Sequence, residues 1–175
     1  MDFFELIRIR RSVRKFNGIP VEKEKIIKIM DAARLSPSAA NLQPWNFIIV
    51  DDPDIKNKAA SAYHGKWILQ APVIIVVCGD HRSSWKRPDG KDHCDIDVAI
   101  AVSHLMLAAA QMELGTCWIG GIDASICREV FNLPQNMEPV AYILLGYPAD
   151  NAQLQAHNKE RKDLNSVMSW NSFNE

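Results

Sequence analysis

Apolar residues along this chain recur with two different periods, and the switches between them mark its elements. Phe3, Phe4, Leu6, Ile7 and Ile9 predict a short helix that ends before a run of arginines. Over residues 22–35, Ile26, Ile27, Met30 and Ala33 sit at helical spacing and predict an amphipathic helix. Pro20 precedes that helix, and Ser36-Pro37 stops it. Trp45–Val50 is a compact apolar run suited to a buried strand, ended by the turn Asp51-Asp52-Pro53. Residues 54–63 predict a further helix.

Pro72 opens a second strand over residues 73–78, whose near-continuous β-branched character predicts that both faces are covered. A long polar connection follows over residues 80–94 and contains Trp85, Pro88 and Gly90. Connections of that length are uncommon unless they carry function or lack order. Residues 95–113 predict a helix that is apolar almost all round, and such a helix is buried in the domain centre or against a partner subunit. Residues 116–119 form a short strand leading into Gly120-Gly121. Asp123 caps a helix over residues 125–131, and residues 140–145 form a last core strand closed by Gly146-Tyr147-Pro148. From Ala149 onward the chain is polar, with scattered Leu164, Val167, Met168, Trp170 and Phe173, too sparse to fold alone. This order suits an α+β layer fold, not a regular doubly wound one. No G-x-G-x-x-G follows a strand, so a Rossmann dinucleotide site is unsupported.

Composition narrows the classes. A length of 175 residues fits one domain with a full core. The formal net charge of −1 argues against a general nucleic-acid or membrane-surface binder, which carries a basic surplus. Met1 is followed by Asp2 and Glu5 in place of a basic and apolar leader, and the longest uncharged run, residues 98–112, is short of a membrane span of roughly 20 residues. A cytoplasmic protein is expected. Cys78, Cys94, Cys117 and Cys127 lack C-x-x-C spacing, so reduced buried thiols are expected.

The chemistry-bearing residues gather in three places. Arg10, Ser12 and Arg14 alternate, so an extended backbone puts two guanidinium groups and a hydroxyl on one side. That is a good phosphate cradle, because arginine binds phosphate bidentately; the bland alternative is a solvated basic stretch paired with Glu22 and Glu24. Residues 36–47 combine small residues with Asn41 and Gln43 beside Pro44-Trp45, a composition that admits a flat, polar-edged ligand. Pro44 is expected to restrict Gln43 to an extended backbone and so hold its amide in one direction. Gly120-Gly121 is either an ordinary turn or a place where a planar ring approaches the backbone. Asp92, His93, Cys94, Asp95 and Asp97 include metal-ligand types, but their spacing matches no standard zinc pattern and no metal is expected. His104 reads as a hydrogen-bonded core or interface residue, and no Ser-His-Asp set is present.

Together these pieces resemble the nitroreductase family of flavin-dependent oxidoreductases. The resemblance rests on Arg10-Arg11-Ser12-Val13-Arg14-Lys15-Phe16, on Ser36-Pro37-Ser38-Ala39-Ala40-Asn41-Leu42-Gln43-Pro44-Trp45, and on Ala71-Pro72-Val73. It continues through the helix at 97–110, Leu114-Gly115-Thr116-Cys117-Trp118-Ile119-Gly120-Gly121, and Leu144-Leu145-Gly146-Tyr147-Pro148. It implies a central, mostly antiparallel sheet flanked by helices, in an intertwined homodimer with FMN at each of two interface sites. Residues 1–148 would form the FMN-binding domain, and residues 149–175 an arm of the same domain that wraps the partner. By the same resemblance, Arg10, Arg11, Ser12 and Arg14 hold the phosphate and ribityl end, joined by Lys159 and Arg161 from the tail. Pro37, Ser38 and Ala39 line the ring, Asn41 and Gln43 reach it, some of them from the other subunit, and Gly120 and Gly121 lie along its face.

The activity so implied is ping-pong transfer from NAD(P)H through FMN to an electron-poor small-molecule acceptor such as a nitroaromatic or quinone. No catalytic side chain is assigned. The alternatives are a specialised relative (enoate reductase, dehalogenase or flavin-consuming enzyme) and a non-catalytic flavin-storage protein. Ser103-His104 stand where many relatives have an amide pair, and Gly120 replaces an acidic residue of some members. Lys86, Arg87 or Lys91 could supply the basic group that a 2′-phosphate of NADPH calls for.

Overall fold

The computed structural model describes residues 1–149 and 161–173. Five α-helices and four strands alternate along them: α1 (Phe3–Ile9), α2 (Lys23–Arg34), β1 (Trp45–Val50), α3 (Pro53–Ala60), β2 (Val73–Asp80), α4 (Cys94–Gln111), β3 (Gly115–Ile119), α5 (Ala124–Phe131) and β4 (Met137–Gly146). Local chemistry sets several of the starts. The Asp2, Asp52 and Asp123 carboxylates accept backbone N–H groups in the first turns of α1, α3 and α5, and Pro53 occupies the first turn of α3, where no N–H is needed.

The strands form one antiparallel sheet in the order β1-β2-β4-β3. Every residue of β2 up to Gly79 is buried, and its side chains divide by the two-residue period of a strand. Val73, Ile75 and Val77 pack with Ile29 of α2 and Val98, Val102 and Leu105 of α4. Ile74, Val76 and Cys78 pack with Ala59, Ile68, Tyr142 and Leu144 on the other face. Each fully buried Val, Ile or Leu contributes about 1.5–3 kcal/mol, so this two-sided core is the main source of stability. The expected α+β layers and the doubly covered second strand are both present.

The structure departs from the pattern in instructive ways. The inward stripe of α2 is Ile26, Ile29 and Ala33, while Ile27 faces out. β4 starts at Met137, ahead of the expected residue 140; Pro139 is tolerated opposite Cys78, where a bulge breaks the β2–β4 register. Helix α3 stops at Ala60, three residues before the pattern ends. α4 presents Val98, Ala101, Val102, Leu105 and Ala109 to the core, but Ile96 and Ser103 are exposed and His104 is half-buried. An apolar helix is thus only half covered by its own subunit. All four cysteines are buried and none is in a disulfide.

Candidate functional site

The arginine run is held on the free edge of β3. Ser12 pairs in parallel with Thr116, and the Val13 N–H donates to the Thr116 carbonyl at 2.8 Å. Val13 is buried, which turns Ser12 and Arg14 the other way. The chain then crosses to β4, where Phe16 pairs with Pro148 and the Ala149 N–H donates to the Lys15 carbonyl at 3.0 Å. Arg10 is partly buried, and its charged form is disfavoured first by that burial and then by the positive charge of Arg161. Arg161, itself exposed, is the second cation that acts on this site. Lys159 lies outside the described residues.

Residues 36–43 are tied down by side chains. The Ser36 hydroxyl donates to the Ala33 carbonyl at 2.8 Å, the Gln43 N–H to Ser38 Oγ at 2.9 Å, and the Ala39 N–H to Asp97 Oδ1 at 3.0 Å. Asp97 is only 2% exposed, and its Oδ2 has no hydrogen-bond partner among the described residues. Ala40, Asn41 and Gln43 all have positive φ, at 50°, 55° and 51°. Gln43 is therefore not extended, contrary to the expectation from Pro44. Its direction comes from the Ser38 bond and from its amide nitrogen donating to the Asn41 carbonyl (3.3 Å) and Oδ1 (3.2 Å). Left-handed backbone at three non-glycine positions is strain that the surrounding contacts must hold, and such strain clusters at ligand sites. Pro37, Asn41 and Gln43 are exposed, and Ser38 and Ala39 half-buried.

These two groups lie at opposite ends of α4. Ala39 is bonded to Asp97 in its first turn, whereas Ser12 meets Thr116 just past its last turn. From Asp97 to Gln111 the axis advances about 21 Å. Gly120 and Gly121 follow directly on β3, at the opposite end of that strand from Thr116, and nothing crowds the Cα of Gly121. A further segment joins them: the Asp123 N–H donates to the Ala62 carbonyl at 2.7 Å, so the early end of α3 brings Tyr63 and His64 beside Gly121 in one pocket. Sequence reasoning missed this pair by extending α3 through Tyr63; the signal available was Tyr-His-Gly directly after a helix.

The connection after β2 is compact. Asp92 is its hub: Oδ2 meets His81 Nδ1 at 2.7 Å and the Lys86 ammonium, and Oδ1 accepts from Ser84 Oγ at 2.6 Å and the Cys94 N–H at 2.9 Å. Burial opposes ionisation of Asp92, but His81, Lys86, Ser84 and the Cys94 N–H outweigh it and hold the carboxyl far below its usual range. Glu138 lies 2.6 Å from His81 Nε2 without the angle of a hydrogen bond. The Asp80 N–H donates to the Pro44 carbonyl at 2.7 Å, which joins this connection to the 36–43 loop. Potential ligand atoms of His81, Cys94 and Asp95 come within 4.8 Å of one another, yet His81 already meets carboxylates on both nitrogens, and burial pushes the Cys94 thiol up to about 12. Lys86 and Arg87 are engaged by Asp92 and Asp89, which weakens both as receptors for a 2′-phosphate.

His81 is raised above its ordinary value near 6.5, chiefly by its hydrogen bond to Asp92 and against the effect of partial burial. A raised folded-state value stabilises the fold fully below the unfolded value, and that stability is lost as pH rises through the folded value. The melting temperature is accordingly expected to fall as pH is taken upward from about 6, and His81→Gln to flatten that slope. Parallel slopes in the two proteins would refute the link.

Comparison with known proteins places this architecture. The family model described as "Nitroreductase family" matches residues 7–70 and 57–147. A nitroreductase family protein of Clostridium difficile 630, known by crystal structure, is 37% identical, covers 99% of this chain and 100% of its own, and superposes with a TM-score of 0.91. A nitroreductase family protein of Clostridium novyi NT is 34% identical, with 86% of this chain and 87% of that one covered and a TM-score of 0.80. A Methanothermobacter thermautotrophicus protein described as a candidate NADH dehydrogenase/NAD(P)H nitroreductase is 37% identical over 156 residues, or 86% of this chain and 80% of that protein. With the sheet order, the β3-edge arginines and the Gly120-Gly121 turn in place, the chain belongs to the nitroreductase family.

Proposed function

We propose that the protein is an FMN-dependent NAD(P)H oxidoreductase that works by ping-pong exchange with an electron-poor acceptor such as a nitroaromatic or quinone. The observation that carries this reading is the Arg10-Arg11-Ser12 segment pinned to Thr116, with the positive charge of Arg161 felt at Arg10, at the start of the strand whose far end is Gly120-Gly121. A partly buried Arg10 that feels a second guanidinium fits a doubly charged phosphate, and the open glycine turn fits a flat ring. FMN named in relatives points the same way: a 28% identical Clostridium difficile R20291 protein is an FMN-dependent nitroreductase by name, and a 29% identical Bacillus subtilis relative an FMN reductase.

Bound FMN supplies the two-electron chemistry between reductant and acceptor. Arg10, Arg11, Ser12, Arg14, Lys159 and Arg161 hold the phosphate and ribityl end, and Gly120 and Gly121 leave room for the ring. Pro37, Ser38, Ala39, Asn41 and Gln43 form the opposing wall. Because that wall stands about 21 Å along α4 from the arginines, the loop of one subunit serves the flavin held by its partner. The half-covered α4, with Phe3 and Phe4 of α1 at 60% and 67% exposed, supports a homodimer built on that face. Residues 1–148 are the flavin-binding unit, and the tail, with Trp170 at 78% and Phe173 at 89% exposed, is an arm for the partner.

The test is anaerobic. The purified protein is expected to carry FMN, to bleach on addition of NADH or NADPH, and to recover its colour with menadione. Failure to bleach sinks the reading, and bleaching without steady-state NAD(P)H oxidation would favour flavin storage.

A further inference from the structure

The pocket around Gly121 contains chemistry that the cofactor cradle does not use. Its walls are Ala62, Tyr63 and His64 on one side and Gly121, Ile122 and Asp123 on the other, and the 2.7 Å bond from the Asp123 N–H to the Ala62 carbonyl fixes their separation. The Tyr63 and His64 rings lie 4.4 Å apart at 43°, and Trp67 meets Tyr63 edge-on at 6.2 Å. His64 is thus backed by the Tyr63 ring, itself braced by Trp67, while remaining exposed to the pocket. The Asp123 carboxylate is occupied, accepting from the Ser125 N–H, the Ser125 hydroxyl and the Ile126 N–H.

Resting on the flavin reading above, we infer that His64 is the proton donor to the acceptor: a flat quinone or nitro compound docks over Gly121 against Tyr63, and the His64 ring N–H hydrogen-bonds to its oxygen. The balance is simple. Reduction of a quinone to a hydroquinone adds a hydride equivalent from the reduced cofactor and one proton; His64 gives that proton to the acceptor oxygen, and solvent returns one to the imidazole. Histidine is suited to this because it exchanges protons in the neutral range. Gly121 is needed small, since the acceptor must approach the ring from its side of the pocket.

Two variants and two readouts test the assignment. In His64→Ala, and in His64→Gln, which keeps a hydrogen-bond donor but no transferable proton, FMN content and the rate of bleaching by NADH are expected to match the parent. Reoxidation by menadione is expected to slow about tenfold, less than the usual acid-catalysis factor of roughly 10²–10⁴ because water reaches an open pocket. Added imidazole should restore the rate of His64→Ala. Without turnover, the dissociation constant of menadione from the oxidised holoenzyme should rise about tenfold in His64→Ala and stay within about twofold in His64→Gln. Unchanged reoxidation and unchanged menadione affinity in both variants overturn the proposal, as does loss of FMN from either. A wild-type protein that fails to bleach overturns the parent reading and this one with it; a bleaching wild type with silent variants overturns this one alone.

Discussion

Replacing Gly115 by valine is expected to destabilise the protein by about 3 kcal/mol, the upper end of overpacking costs, and to weaken FMN binding more than any single arginine change. A Cβ at residue 115 would stand 2.6 Å from Val13 Cγ2 and 2.8 Å from Val13 Cβ, inside contact distance for carbon. Val13 cannot swing away, because it is buried and its own N–H is bonded to the Thr116 carbonyl. The relief available is to lift residues 12–14 off the β3 edge, which carries Ser12 and Arg14 with them. Gly115→Ala should show the same effects more weakly. Gly121→Ala is the contrast, since nothing lies within 4 Å of its added Cβ, and it should melt like the parent. Thermal melts and FMN titration of the three variants check this; a Gly115→Val protein with parental stability would show that the edge segment is not pinned.

The patterns that can be read from the chain are those set by burial. Trp45–Val50 occupies the strand the apolar run predicts, and the unbroken β-branched run of β2 predicts its two covered faces, because one rule, hydrophobic contact on each side, decides both. The common direction of Ser12 and Arg14 was legible for a similar reason: the buried Val13 between them fixes which way they turn.

Backbone conformation over residues 36–43 was not legible. Nothing in Ala40 or Gln43 announces a positive φ, and the residue before a proline is ordinarily extended; a hydroxyl five residues upstream and a carboxylate on another helix, Ser38 and Asp97, impose the turn. The end of α3 failed likewise. Ser61, Ala62 and Tyr63 continue an acceptable helical pattern, and it is the distant Asp123 N–H, taking the Ala62 carbonyl, that directs the chain toward Gly121. Groups recruited by tertiary contact were the part beyond local reading, and they are the ones that shape the 36–43 loop and the pocket at Gly121.

Arg161→Ala is expected to cost roughly 10- to 100-fold in FMN affinity, the worth of about 1.5–3 kcal/mol for a hydrogen bond to a charged group, without lowering the melting temperature of the apoprotein. The two halves of that expectation come from one fact. The positive charge of Arg161 disfavours the charged form of Arg10, so in the absence of an anion its removal relieves that repulsion. With phosphate between them both guanidinium groups gain a counter-charge, and the repulsion becomes part of the selectivity for a dianion. Arg10→Ala should show the same loss of FMN affinity, while riboflavin, which has no phosphate, should bind both variants as it binds the parent. The FMN affinity of the parent should also fall with rising salt more steeply than that of either variant, since each removes one screened attraction. Equal losses for riboflavin and FMN would mean that these arginines shape the fold around the ring and do not receive the phosphate. A destabilised Arg161→Ala apoprotein would mean that the tail is anchored through Arg161, and the anion site would then have to lie elsewhere along the β3 edge.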